Sequence, residues 1–323
     1  MVKERIKWID DVRGVCVFCV LLAHCNISHP FLYKIYTPWF LTTFFFISGF
    51  LYKNETFKKD VKRILHNLIV PYFILCGILF FIGVDNWKAL FGGNFMFLYE
   101  KIKNIFMGYQ MWFIPCLIIV QLYITICYHI FMKKIAYKIV MVVLFLLSVF
   151  LINKSDIKPW YSDIALFSSA FFLLGNIMKM YGLSEWFPNF RNKKMYSVLV
   201  LILYLVISLF FQGIFNMEFH FAYNFYANPI LFIILSCSGI FAICFFFQNF
   251  HVNILSFLGK NSLVFFAFNG KAYAIVTIFA PAILKFGCHM NSLLFCTFEC
   301  AVLLILSFLV NKYFPFIIGK SKK

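Results

Sequence analysis

The chain of 323 residues is too apolar and too poor in charge for a water-soluble globular protein. Apolar residues make up 63% of it, charged residues 13%, and the mean hydropathy is +0.89. Soluble domains carry about 45–50% apolar and about 25% charged residues. The composition therefore excludes a soluble globule and predicts that the lipid bilayer is the solvent. The net charge of +17 does not indicate nucleic-acid binding, because Lys and Arg occupy short connectors between apolar runs.

Ten apolar segments predict ten transmembrane helices. Backbone groups in hydrocarbon must bond internally, and the segments are too uniformly apolar for barrel strands, so the spans should be helical. We place them near residues 12–29, 37–52, 68–84, 110–132, 136–152, 160–180, 195–212, 226–247, 261–284 and 291–313. With no repeat or soluble segment between them, we predict a single all-α domain over residues 1–323. The longest connector, 85–109, contains Gly92, Gly93 and several aromatic residues, a composition that suits re-entry into the membrane.

The distribution of positive charge predicts that both termini are cytoplasmic. With ten spans and the N-terminus inside, 21 of the 29 Lys and Arg residues fall in or next to cytoplasmic segments and seven in outer connectors. This threefold excess follows the positive-inside rule. Cys16 and Cys19 form a C-x-x-C within an apolar run but lack a second pair, so we predict no metal site.

Two ionisable residues share one face of the first predicted helix. His24 follows Arg13 by eleven residues, which amounts to about 20° beyond three full turns and about 16 Å along a helix axis. Arg13 is expected at the cytoplasmic surface and His24 deep in the bilayer. An ionisable residue inside a membrane is costly and is a functional candidate, although a structural role is an equal alternative. Asp10 lies one turn before Arg13 and could pair with it or cap the helix.

The first helix and five further segments, in the same order, resemble the membrane-bound acyltransferase-3 family. The first helix carries the family's Arg-x10-His pattern as Arg13 and His24. The other matching segments are Phe44–Phe50, Val70–Phe73, Met111–Pro115, Phe171–Gly175 and Phe257–Leu263. Each is weak alone, but six in order cover nearly the whole chain. The sequence departs from the family at Asn269, where a histidine is often found.

The resemblance implies acyl transfer from cytoplasmic acyl-coenzyme A to a hydroxyl of a cell-surface or lipid-linked glycan, and we expect the acyl group to be acetyl. It also implies a multi-pass protein of the bacterial cytoplasmic membrane, with acetyl-coenzyme A as co-substrate and no permanently bound cofactor. Asp10, Arg13 and His24 are the expected catalytic residues. An imidazole has a pKa suited to taking the hydroxyl proton, and it could equally carry the acyl group itself. The sequence leaves both routes open.

Basic residues at the cytoplasmic side are candidates for holding the phosphates of coenzyme A. They are Arg13 on the first helix and Lys62 and Arg63 before the third span. Arg in particular forms strong hydrogen bonds to phosphate. Anchoring of the chain at anionic lipid is the alternative.

Four residues near the outer side are candidates for substrate contacts. Trp112 could stack on a sugar, although Trp is also common at membrane interfaces. Asp163, Glu218 and His220 could contact the acceptor or orient His24, or could simply face water. Lys271 and Glu299 fall at matching depths of two adjacent spans, and we predict that they form an ion pair.

Two other functions are compatible with the sequence. A transporter of a glycan or small anion would suit ten helices with buried charges, although no inverted repeat is apparent. A non-catalytic subunit of a polysaccharide assembly complex is the other alternative. A homo-oligomer is compatible with the sequence.

Overall fold

The protein is almost entirely helical. A computed structural model describes residues 6–24, 30–131, 135–149, 152, 158–182, 192–214, 218–283 and 290–318. The helices are α1 Lys7–His24, α2 Pro30–Tyr36, α3 Phe40–Leu51, α4 Phe57–Ile64, α5 Val70–Phe81, α6 Val84–Phe91, α7 Phe95–Phe106, α8 Phe113–Phe131, α9 Ala136–Val149, α10 Ser162–Met180, α11 Lys193–Ile214, α12 Pro229–Asn249, α13 Asn253–Lys260, α14 Ser262–Ile283 and α15 Met290–Tyr313. Each of the ten predicted spans overlaps one of these helices.

Among the described residues, six segments are long and apolar enough to cross a membrane. They are Phe57–Phe81, Phe113–Phe131, Pro159–Met180, Lys193–Ile214, Pro229–Asn249 and Leu294–Tyr313. These segments confirm the all-α membrane character, whereas the number of ten spans and the cytoplasmic termini remain predictions. Helix α3, which lies in the second predicted span, is shorter than the membrane. Its twelve residues extend about 18 Å, less than the hydrocarbon core of about 30 Å.

The third span begins earlier than predicted, because the basic stretch before it is also helical. A π turn, Leu65–Ile69, joins α4 to α5, so that Phe57–Phe81 is one rod. On α4 only Asp60 and Ile64 are buried, as expected of an amphipathic helix at a surface. The connector 85–109 likewise forms two short helices, α6 and α7.

The described chain divides into two compact units. Unit 1 comprises residues 1–52, 171–221 and 225–307, and unit 2 comprises residues 53–170, 222–224 and 308–323. In unit 1, α3 is buried almost throughout, and most of α1 is buried as well. Unit 1 also contains two short antiparallel strands, β1 Phe219–His220 and β2 Phe225–Tyr226, which the all-α prediction did not include.

Glycines bring the helices of unit 1 into direct backbone contact. A Cβ added to Gly14 would lie 1.9 Å from the carbonyl oxygen of Leu255, and one added to Gly259 would lie 1.9 Å from that of Asp10. These two glycines join α1 to α13. Gly49 and Gly175 join α3 to α10 in the same way, with the added Cβ at 1.8 and 2.0 Å from backbone oxygens. Small residues allow helix backbones to approach closely, and we expect any larger residue at these positions to force the helices apart.

Candidate functional site

Arg13 and His24 lie on one uninterrupted helix, as predicted. Both belong to α1, Lys7–His24, and the helical rise separates them by about 16 Å along its axis. Arg13 is half-buried, whereas His24 is the last residue of α1 and is exposed. His24 makes no hydrogen bond or ion pair within the described part of the chain, which omits the next five residues. Its ring is accessible, and its depth in a membrane remains a prediction.

The first turns of α1 carry two buried carboxylates. Asp10 is 3% exposed, and its backbone carbonyl is the group that packs against Gly259. Asp11 is fully buried, and its Oδ2 lies 2.6 Å from Nδ1 of His251. The His251 side chain is 40% exposed. With Nδ1 bound to the carboxylate, Nε2 is the ring nitrogen left for other contacts.

Sequence reasoning missed the contact between Asp11 and His251. The two residues are 240 positions apart, and His251 lies in the short link between α12 and α13. No spacing rule connects such residues. The available signal was that Asp11 falls at the start of an apolar helix, where a buried carboxylate needs a partner.

Arg63 is part of a network around a buried carboxylate in unit 2. Asp60 is fully buried and accepts a hydrogen bond from Nη2 of Arg63 at 2.9 Å. Its Oδ2 lies 3.0 Å from Nε2 of His129, and both carboxylate oxygens accept from the backbone N–H of Glu55. The network holds α4 against α8. Lys62, by contrast, is exposed, so of the two unit 2 residues that we predicted to bind phosphate it is the more accessible.

Trp112 and Asp163 lie in one neighbourhood of unit 2, connected by Tyr161. The ring of Tyr161 is 5.6 Å from that of Trp112 and 6.1 Å from that of Tyr109. Asp163 follows in the first turn of α10 and is 9% exposed. Its Oδ2 accepts a hydrogen bond of 3.2 Å from the side-chain amide of Asn224. Trp112 thus packs on the ring of Tyr161, which precedes Asp163 by two residues in the chain.

Glu218 and His220 form a small polar group with Tyr33 in unit 1. Nε2 of His220 lies 3.8 Å from a carboxylate oxygen of Glu218. The hydroxyl of Tyr33 donates to the carbonyl of Phe219 at 2.8 Å and lies 3.2 Å from Nδ1 of His220. Burial raises the pKa of Tyr33, and the Glu218 carboxylate raises it further. The group is open to solvent on its His220 and Glu218 sides, since both residues are exposed.

Glu299 on α15 is fully buried. The ion pair that we predicted between it and Lys271 on α14 remains a prediction. Asn269 is buried and 5% exposed.

An apolar cleft lies beside the first turn of α1. It is narrow, and its walls contain no charged side chain. The lining residues are Trp8, Phe46, Phe50, Met178, Ile240, Phe241, Cys244 and Gln248. The ammonium of Lys179 lies 5.9 Å from the centre of the Phe50 ring.

Comparison with known proteins identifies one family. Its model, described as an acyltransferase domain, matches residues 6–312 and so covers nearly the whole chain. The matched region includes every residue of the groups described above. No curated protein and no solved structure was found to match the chain.

Proposed function

This chain belongs to the acyltransferase-3 family, and we propose that it transfers an acetyl group from cytoplasmic acetyl-coenzyme A to a hydroxyl of a cell-surface or lipid-linked glycan. One observation carries the proposal. Within a chain that the family model covers over residues 6–312, Arg13 and His24 occupy a single helix, about 16 Å apart. A donor with phosphates at one end and a thioester at the other matches two such groups.

Arg13 is the proposed contact for a donor phosphate. Its guanidinium presents several N–H donors in a planar fork that suits phosphate oxygens. Asp10, buried one turn earlier, would hold the start of α1 in place through its close backbone contact with Gly259. Lys62 and Arg63 belong to unit 2, and their contact with the donor remains a prediction.

His24 is the proposed reacting group. As a base, it takes the proton of the acceptor hydroxyl while that oxygen attacks the thioester carbonyl. The thiolate of coenzyme A then leaves and receives the proton from the imidazolium, so the products are the ester and free coenzyme A. In the alternative route the imidazole nitrogen attacks the thioester first and expels the coenzyme A thiolate, which takes up the proton that the ring loses. The hydroxyl then attacks the acyl-imidazole, and the released imidazole takes up the hydroxyl proton. The exposed ring of His24 at the end of α1 is compatible with both routes.

The group formed by Tyr33, Glu218 and His220 is a proposed contact for the acceptor in unit 1. A saccharide offers hydroxyls that donate to carboxylates and accept from imidazole or phenol groups. Phe225, 40% exposed, pairs with His220 across the strands and adds an apolar face at 6.0 Å from the imidazole. Trp112 and Asp163 are proposed acceptor contacts in unit 2.

The decisive test is acetyl transfer by purified protein in lipid vesicles, with labelled acetyl-coenzyme A and the host's surface glycan. We expect the wild-type protein to add the mass of an acetyl group to the glycan, and His24→Gln to abolish this. His66→Gln is the matched control, because His66 is an exposed histidine on the π turn of the other unit. Unchanged transfer by His24→Gln would refute the role of His24. Glycan uptake into the vesicles without any donor would instead favour the transporter.

A further inference from the structure

Every non-glycine residue with a left-handed backbone in the described chain lies at one place in unit 2. The four residues are Met111, with φ of 47°, Trp160 (57°), Tyr161 (52°) and Asn224 (52°). They come from three separate segments, which meet around Asp163. Positive φ is rare for bulky side chains and costs of the order of 1–3 kcal/mol per residue. Such strain persists only where the surroundings impose it, and it concentrates at ligand sites.

Hydrogen bonds to the segment before Gly108 hold Trp160 in this conformation. The backbone N–H of Trp160 donates to the carbonyl of Met107 at 2.8 Å, and its indole N–H donates to that of Phe106 at 3.0 Å. Gly108, itself at φ 76°, lies so close that an added Cβ would be 3.0 Å from the Cα of Trp160. The backbone at Trp160 is therefore fixed by its hydrogen bonds and by the close contact with Gly108. Beside it, the ring of Tyr161 packs on the rings of Tyr109 and Trp112.

The same neighbourhood contains a carboxylate oxygen without a hydrogen-bond partner among the described residues. Oδ1 of Asp163 is buried and accepts no hydrogen bond from the described residues, whereas Oδ2 accepts from Asn224. Asp163 is itself nine-tenths buried. A buried polar atom without a partner costs about 1–3 kcal/mol, so this oxygen calls for a donor from outside the chain.

We propose that Tyr109, Trp112, Tyr161, Asp163 and Asn224 form a saccharide subsite, named here the Asp163 subsite. A sugar ring presents an apolar C–H face, which packs on an aromatic side chain, and hydroxyls, which donate to a carboxylate. Trp112 and Tyr109 are half-exposed and supply the face, while Oδ1 of Asp163 accepts the hydroxyl. The conformational strain fixes the aromatic rings before binding, so that less entropy is lost when the sugar is ordered.

The Asp163 subsite depends on the proposed function in one respect only, namely that the sugar it binds is the acyl acceptor. A sugar that binds at the Asp163 subsite without being acetylated would leave the inference intact. The carboxylate discriminates in favour of neutral or cationic saccharides, because a second carboxylate would be repelled. The subsite therefore favours a neutral or amino sugar unit over a uronic acid.

Binding is tested on the full chain in a detergent without a sugar headgroup, with short glucose and N-acetylglucosamine oligomers as probes and tryptophan fluorescence as the readout. We expect the wild-type signal to change on binding, and Trp112→Ala and Asp163→Asn each to weaken affinity at least about tenfold, equivalent to about 1.4 kcal/mol. Controls are Trp87→Phe, an exposed tryptophan on α6, and Asp85→Asn, whose side chain is 84% exposed.

The acetylation assay separates this inference from the proposed function. Asp163→Asn should raise KM for the glycan and leave KM for acetyl-coenzyme A unchanged, whereas a general folding defect would lower kcat as well. If no probe binds the wild-type protein, or if both subsite variants bind like the controls, the Asp163 subsite is wrong. If the oligomers bind through Asp163 while no acetyl group is ever transferred, the proposed function fails and the subsite stands.

Discussion

Gly259→Ala tests whether the contact between α1 and α13 sets the geometry of the catalytic helix. The new Cβ would lie 1.9 Å from the backbone oxygen of Asp10, whereas ordinary contact begins at 3.4 Å. The two helices must therefore separate locally by about 1.5 Å. Neither contacting group is a flexible side chain that could turn away, so the backbone itself must shift.

The size of the effect follows from this displacement. Overpacking a well-packed interface costs about 1–3 kcal/mol, which should lower the apparent midpoint of thermal unfolding by several degrees. The effect on catalysis should be larger, because Arg13 and His24 are carried by α1, and a displacement of about 1 Å at a reacting group can cost about 100-fold in rate. We expect protein that still folds but transfers acetyl groups about 100-fold more slowly.

The assay compares Gly259→Ala with two glycines that have free space around them. Gly213 in α11 and Gly270 in α14 have no atom within 4 Å of an added Cβ. Alanine there should be neutral or stabilising by up to about 1 kcal/mol, since glycine is the poorer helix former. Unfolding midpoints at one fixed scan rate, together with kcat, give both comparisons. If Gly259→Ala matches Gly213→Ala in midpoint and rate, the backbone contact does not control α1.

Two further predictions concern ionisable groups. His251→Leu leaves the fully buried Asp11 carboxylate without a partner and should destabilise the protein by about 3 kcal/mol, the lower end for a buried pair because the imidazole is partly exposed. Adding Asp11→Asn to His251→Leu should restore part of the lost stability, measured by urea or thermal unfolding. If it restores none, the two side chains do not stabilise the fold as a pair. Because burial raises the pKa of Tyr33, the folded state disfavours the phenolate. The stability of the fold should therefore fall as the pH rises past 10.0, the ordinary pKa of tyrosine. In thermal scans over that pH range, Tyr33→Phe should lose less stability than the wild-type protein. Equal losses would show that Tyr33 is not the titrating group.

Apolar run length predicted the helices correctly, because burial of backbone polar groups in lipid leaves few alternatives. The first helix is the best example. Once the segment is helical, helix geometry places Arg13 and His24 on the same face. The helix ends were less accurate. Residues Phe57–Ile64 read as a polar flank in the sequence, but they form an amphipathic helix that continues into the span.

The tertiary partners of the charged groups could not be predicted. His251 meets Asp11 and His129 meets Asp60 only because separate helices pack together, and hydropathy carries no information on that packing. Part of the Asp163 subsite was predicted from the sequence, because Trp112 and Asp163 are candidates by residue type. The left-handed backbone of Trp160 and Tyr161 could not be predicted, since it is the opposite of what these side chains prefer. Such a departure from local preference is imposed by the surrounding fold and is typical of a functional site.

The π turn at Leu65–Ile69 changes how the rod Phe57–Phe81 should be interpreted. A π turn corresponds to one residue more than a regular α-helical turn holds, so it offsets everything that follows by about 100° around the axis. A helical wheel drawn through all 25 residues therefore gives the wrong angle between residues on either side of the turn. This applies to the basic Lys62 and Arg63 before it and the buried Tyr72 after it. A variant that lacks one residue of the turn would form a continuous α-helix. Its basic N-terminal part would then be rotated about the axis relative to α5 and would face a different part of the protein.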